Sequence, residues 1–262
     1  MRKIYKLKSA LWLLLVLLGL VPSIQAGAQL QWRENFDYPA GALYGQGSWV
    51  KHGNDYKDPI NVVDQKLDYA GYPGGVSGKS VQFASTGASG EDLVANFDPD
   101  GEGILTGTIY YSALINVSKY DNGGKTGKPG VLGLVPKNGD KDINDGIMKT
   151  PVALLYIDEG SKDGAIKFGV GKNSVWTAPS FTETDYNENT TYLIVVKYEI
   201  SGEGNKTSLF VNPTKYDEEP AKADAIFDDD TNISSALQGI TLQQKGSFST
   251  IVPDMSFGML RV

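Results

Sequence analysis

The sequence predicts an all-β chain: an antiparallel two-sheet β-sandwich. Three observations lead there. From about residue 31 onward, short runs rich in β-branched and aromatic residues alternate with clusters of Gly, Asn, Asp, Ser and Pro. About a dozen such runs occur with no helical periodicity between them, which argues against a parallel α/β fold. The best runs alternate apolar and other residues with period two, as strands with one buried face do.

The first residues read as a targeting segment rather than as part of the sandwich. Arg2, Lys3, Lys6 and Lys8 precede the apolar run 10–21, and Ala26 and Ala28 then supply the small-x-small pattern of a cleavage site. That run is shorter than the ~20 apolar residues that span a bilayer. The expectation is a signal peptide over 1–28, one sandwich domain over 29–262, and a secreted, periplasmic or cell-surface location with no remaining membrane span. No cysteine follows the apolar run, so a lipid-anchored form is not expected.

Removing the four leader cations takes the formal net charge from −7 to −11. Such an acidic chain repels nucleic acid and anionic lipid. The chain has 0 cysteines, which excludes thiol nucleophiles, thiolate metal sites and disulfides, so a large apolar core must hold it.

The strand runs follow in order. Weaker candidates are 31–36, Asn61–Val63, 66–69, Ser80–Phe83 and 93–97. The clear ones are 108–117, 131–135, 152–157, 165–170, 191–200, 208–211, 240–244 and 255–262. In the first clear run Ile109, Tyr111, Ala113, Ile115 and Val117 point one way, and Thr108, Tyr110, Ser112 and Asn116 the other. In 165–170 the inward set is Ile166, Phe168 and Val170, with Lys167 outside. In 191–200, Tyr192, Ile194, Val196, Tyr198 and Ile200 oppose Leu193, Val195, Lys197 and Glu199. One short helical turn is expected at 233–237, after the acidic D-D-D-T-N.

Several stretches carry a resemblance: N-F-D-Y-P-A-G-A-L-Y-G-Q-G-S-W (35–49), Y-A-G-Y-P-G-G-V-S-G-K-S-V (69–81), N-E-N-T-T-Y-L-I-V-V-K-Y (187–198), S-L-F-V-N-P (208–213) and I-T-L-Q-Q-K-G (240–246). Together they resemble a concanavalin A-like lectin/glucanase jelly roll, laminin-G-like, of secreted Bacteroidetes-type bacterial proteins. The resemblance runs over essentially the whole mature chain. It implies a jelly-roll sandwich that ends with its last strand, without a C-terminal sorting domain. It does not select an activity, because this fold hosts lectins, hydrolases and spacers alike.

The laminarinase-like enzymes that the resemblance brings in carry an E-x-D-x-x-E strand, and this sequence has none. Glu183 and Asp185, with Glu188 beyond, have the count but sit in a turn-like stretch, F-T-E-T-D-Y-N-E-N. His52 is the 1 histidine, too few for a His-rich metal site, and no G-x-S-x-G accompanies it. The glycine-rich 71–80 lacks the following helix of a phosphate loop and contains Pro73.

Sugar binding asks for an aromatic platform and polar groups for hydroxyls. Trp49, His52, Tyr110, Asn116 and Trp176 are the candidates, with Tyr56, Tyr72, Asn54 and Asn173 near them. For a structural calcium, two acidic loops qualify: Asp98, Asp100 and Glu102, and Asp140, Asp142 and Asn144 with Asp145. Counted from Asp140 as an EF-hand, position six is Asp145 and position twelve is Pro151, so that template fails. The expected function is a secreted non-catalytic module binding polysaccharide or an extracellular protein. The alternatives are a jelly-roll glycoside hydrolase or lyase and a structural module of the cell envelope.

Overall fold

The structure, a computed structural model, describes residues 29–52, 57–84, 88–98, 101–137, 150–173, 177–201, 203–229, 233–247 and 249–262. Its strands are, in order, β1 (Arg33–Glu34), β2 (Gly41–Ala42), β3 (Trp49–Lys51), β4 (Asn61–Val63), β5 (Ser80–Phe83), β6 (Asp92–Asn96), β7 (Gly107–Lys119) and β8 (Gly130–Pro136). Then follow β9 (Val152–Glu159), β10 (Ala165–Gly171), β11 (Ser180–Phe181), β12 (Tyr186–Asn187), β13 (Thr191–Ser201), β14 (Gly204–Val211), β15 (Ala225–Asp229), β16 (Leu237–Gln243) and β17 (Asp254–Arg261).

They form two antiparallel sheets. Sheet A runs β15-β14-β13-β7-β17-β5-β4-β2, with β1 also on β17. Sheet B runs β11-β10-β9-β8-β16-β6-β3, with β12 also on β10. The predicted two-sheet sandwich is therefore the observed architecture, and among the described residues no helix interrupts it.

The alternation read from the sequence decides the core. Ile109, Tyr111, Ala113, Ile115 and Val117 of β7 are buried with Tyr192, Ile194, Val196, Tyr198 and Ile200 of β13. Facing them from sheet B are Leu132, Leu134, Leu155, Ile157, Ile166, Phe168 and Val170, in the same cluster. Each such side chain contributes about 1.5–3 kcal/mol by leaving water. Polar and ring contacts also cross between the sheets. The Tyr111 hydroxyl donates to the Ala153 carbonyl at 2.7 Å. Phe168 packs edge-on against Tyr192, with centroids 5.5 Å apart.

Several elements differ from expectation, the short β2, β3, β11 and β12 among them. The run 66–69 is not a strand. It begins a strap over the outer face of sheet A, where Leu67, Tyr69, Tyr72 and Val76 cover Leu114, Leu193 and Met259. The turn expected at 233–237 is not helical either. Leu237 exchanges main-chain hydrogen bonds with Ile104 at 2.7 and 2.8 Å and already belongs to β16, so ladder pairing takes the groups a helix would need. Conversely β15 is a strand where the sequence suggests none, because Ala225 and Phe227 alternate inward.

The strap returns beside β1 through Gly78, whose φ is +74°. A Cβ there would lie 2.1 Å from the Asn35 carbonyl oxygen, so only glycine lets the two backbones meet.

The hydroxyl of Tyr111 gives a first test. Tyr111→Phe keeps the ring and leaves a buried carbonyl oxygen without its donor, a loss of about 1–3 kcal/mol. Guanidinium unfolding should show the lower midpoint at an unchanged slope; an unchanged midpoint would mean that this bond contributes nothing.

Candidate functional site

The outer face of sheet A carries the clearest polar-aromatic arrangement. Strand register places Tyr110 opposite Lys197, Lys197 opposite Ser208, and Ser208 opposite Ile226. Cross-strand partners share a face, so these four side chains form a row across β7, β13, β14 and β15, about 14 Å long at the usual strand spacing. Glu219, on the connection from β14 to β15, folds back over the row. The Tyr110 hydroxyl donates to it at 2.8 Å and the Lys197 ammonium lies 3.0 Å from it. Glu199 sits 3.2 Å from the same ammonium.

The electrostatics follow from these contacts. Partial burial opposes charge on both Lys197 and Glu219, but their mutual contact outweighs it. It holds Glu219 below the usual carboxylate range and Lys197 above the usual amine value. Lys197 is thus neutralised by two carboxylates. Tyr216, on the same connection, is 49% exposed and stands near Tyr69 of the strap, whose hydroxyl is pushed up by burial and then by Tyr216.

The row ends at a cavity of about 540 Å³ between the two sheet edges, β11 and β15, walled by residues 180–184 and 222–226. Phe181 forms part of one wall because Gly169 behind it has no side chain; a Cβ there would lie 2.5 Å from the ring. Thr182 is pinned by its N–H to the Phe168 carbonyl at 2.9 Å. Asp224 accepts the Val211 N–H at 2.8 Å. Glu183 and Lys222 make no hydrogen bond or ion pair with another described residue.

A second titratable cluster lies at one end of sheet B. The His52 N–H donates to the Asp92 carbonyl at 2.9 Å, and Gln243 flanks Asp92 on its other side. Asp92 is 8% exposed, and its carboxylate accepts the Lys245 N–H at 2.8 Å. Burial nevertheless pushes its carboxyl up to about 7. Burial, and then the Lys245 charge, holds His52 below its ordinary value. Its Nδ1 is buried with no partner among the described residues. Glu91 beside Asp92 is buried too, but consecutive residues of an extended chain point to opposite faces, and Glu91 instead accepts the Ile60 N–H at 3.2 Å. These two acids therefore do not make the same-face pair that retaining hydrolysis uses.

The candidates named from the sequence do not converge. Tyr110 and Asn116 share the outer face of sheet A, Asn116 donating to Thr191 at 3.3 Å, while His52 lies on sheet B. Trp49 requires correction as a sugar platform. It is 0% exposed, stacked on Phe36, and its Nε1 donates to Glu34 at 3.1 Å, so neither ring face reaches a ligand. Tyr72 lies in the strap, and Trp176, Tyr56 and Asn54 fall outside the described residues.

Of the calcium candidates, Asp98 turns its carboxylate onto the Gly103 N–H at 3.0 Å, closing its own loop. Asp100, Asp140, Asp142 and Asn144 lie outside the described residues, and among those described no group of three His, Asp or Glu could hold a metal ion. Asp185 is bound by Ser161, and Glu188 accepts the Tyr120 N–H at 2.6 Å, so both serve turns. Sequence reasoning misses Glu219, Ile226, the cavity and the role of Lys197. Counting puts Lys197 on the outward face, but its partner lies 22 residues away on a connection with no pattern of its own.

No family model matches the chain, and no curated protein matches it. Similar solved structures include an endo-1,3-beta-glucanase from Streptomyces sioyaensis, at TM-score 0.46 and 7% identity over 92% of this chain and 98% of that one. The globular domain of T. cruzi calreticulin is similar at TM-score 0.45 and 10% identity, over 89% of this chain and 87% of that one. A glycosyl hydrolase family protein from Mycobacterium fortuitum has TM-score 0.42 and 13% identity, over 89% and 99%. Likenesses of this degree carry no argument about the chemistry, and the sandwich is read from the chain's own two sheets.

Asp92 sets a pH dependence. Its folded-state value lies above the ordinary 3.8, so the folded protein keeps a proton the unfolded chain gives up. The resulting stability is complete below about pH 4 and is lost progressively as pH rises to about 7. Melting temperature should fall across that window, and Asp92→Asn, which keeps the acceptor for Lys245, should flatten the fall. Parallel curves for the two proteins would remove Asp92 as the cause.

Proposed function

We propose that the chain is an exported, non-catalytic binding module whose ligand is an extended hydroxyl-rich polymer, a glycan, lying along the row from Tyr110 to Ile226. The observation that carries this reading is the row itself: an aromatic ring, an amine–carboxylate cluster and an exposed aliphatic side chain stand in register on β7, β13 and β15, with buried Ser208 of β14 between the last two. Rings and aliphatic groups cover the C–H faces of sugars, and fixed polar groups reach hydroxyls. Rigid strands hold Tyr110, Lys197 and Ile226, and Glu219 is already pinned on the first two, which lowers the entropic cost of binding. Export rests on the leader-like 1–28. Mass spectrometry of the protein recovered outside the cytoplasm should find Gln29 as its first residue.

Tyr110→Ala should weaken binding on a glycan array by 10-fold or more while leaving the melting temperature near that of the parent. Tyr110→Phe, which loses only the bond to exposed Glu219, should weaken it less. Equal binding by all three proteins would remove the row as the site.

One observation favours a second reading, a hydrolase: Asp92, whose carboxyl burial pushes up to about 7, adjoins His52 through a main-chain hydrogen bond. It requires release of new reducing ends from a polysaccharide, lost in Asp92→Asn. A parent protein that binds but releases none leaves the binding module alone.

A further inference from the structure

The row on sheet A stops at Ile226, and Ile226 is also a wall of the edge cavity. Strand β15 is the last strand of sheet A, so a polymer lying on the row runs off the sheet there and meets the space between β15 and β11. The space, about 540 Å³ and half open to solvent, is large enough for a single sugar unit.

The lining has a definite chemistry. Phe181, Ala223, Ala225 and Ile226 give it apolar surface, and Glu183, Asp224 and Lys222 give it two carboxylates and one ammonium. Glu183 and Lys222 are unpaired with other described residues, so both are available to a ligand. Carboxylates accept from hydroxyls, and an ammonium donates to hydroxyl or ring oxygens. The charges sum to one negative, which repels a ligand carboxylate. On the row the ammonium of Lys197 is held by Glu199 and Glu219, and Lys206, on the same face of β14, stands between Glu199 and Asp228.

We infer that the β11–β15 cavity is an end-subsite that takes the terminal unit of an uncharged glycan chain and rejects a terminal uronate. This rests on the row being the track for that chain. The module would then read chain ends as well as chain surface. Neutral ends that reach past β15 would gain the cavity's contacts in addition to those of the row.

Blocking the cavity tests this separately from the row. Ala223 is half-buried on the cavity wall, so Ala223→Trp fills the space without disturbing β7 or β13. Affinities for neutral oligosaccharides and for oligosaccharides of the same length ending in a uronate would be measured by calorimetry for the parent, Ala223→Trp, Glu183→Lys and Tyr110→Ala. Expected are a loss of 10-fold or more for the neutral ligands in Ala223→Trp, at least 10-fold discrimination against the uronate end in the parent, and a narrowing of that discrimination in Glu183→Lys. If Tyr110→Ala weakens binding and Ala223→Trp does not, the end-subsite is overturned and the row stands. If neither changes binding, or the parent binds nothing, both fall. Glu183→Lys alters an exposed charge and should fold as the parent does, so it also decides the matter if the tryptophan variant fails to fold.

Discussion

The register between β7 and β13 is the constraint from which the rest follows. The two strands pair without a slip from Gly107 opposite Ile200 to Asn116 opposite Thr191, in the middle of sheet A. Because side chains alternate with period two, a shift of one residue would turn Tyr111, Ile115, Val196 and Tyr198 to the outside and Tyr110 and Lys197 to the inside. Burying Lys197 and its carboxylates between the sheets would cost far more than any contact could return. The apolar inner set and the charged outer set thus enforce one register from opposite sides, and β14 and β17 are aligned by pairing to it. A chain with no disulfide depends on this two-sided specification more than a cross-linked one does.

That register is legible in the sequence because both strands are long enough for alternation to show. β8, β9, β10 and β16 are legible for a related reason: dense apolar runs bounded by turn residues. Where strands shorten to two or three residues, alternation has no length in which to appear, and β2, β3, β11 and β12 leave no readable pattern. Trp49 shows the consequence. Within β3 nothing local says which way it points, and its direction is set by Glu34, 15 residues earlier, whose carboxylate also takes the Phe36 N–H and the Tyr38 hydroxyl. The site is legible only in part. Tyr110 and Lys197 can be assigned to an outward face by counting, but a cavity formed where two sheets' edges approach has no sequence signature.

The two buried acids of β1 and β6 illustrate how burial is made tolerable by different means. Glu34 receives a backbone N–H, a phenol and an indole, so the acceptor sites of its carboxylate are filled by donors. Asp92 receives backbone N–H groups from the turn after β16, yet burial still outweighs them and the neighbouring Glu91 charge adds to it. The difference is one of position. Glu34 fixes the first strand among aromatic rings, whereas Asp92 stands at a corner where β3, β6 and the turn after β16 meet. Gln244, buried in the same corner, joins Ala84 to Asp58 through its amide. The corner is thus secured mainly by neutral hydrogen bonds, which leaves the ionisation of Asp92 able to disturb it.

The location of the proposed site can be traced to a change of composition along two strands. The outward residues of β13 read Thr191, Leu193, Val195, Lys197, Glu199, and those of β7 run from Leu114 back to Tyr110 and Thr108. The apolar portion cannot be left in water, and the strap, with Leu67, Tyr72 and Val76, covers it. The strap is admitted there because Gly78 lets it approach β1 and because Tyr69 reaches Tyr216. The polar portion is crossed by Glu219 at Lys197 and is closed over Ser208, which is 5% exposed, so it is open mainly at its Tyr110 and Ile226 ends. A sheet face that was apolar throughout would be wholly strapped, and one polar throughout would present no aromatic anchor. The boundary between Val195 and Lys197 therefore divides the apolar floor from the polar row, and the row extends from that boundary toward the edge strand and its cavity.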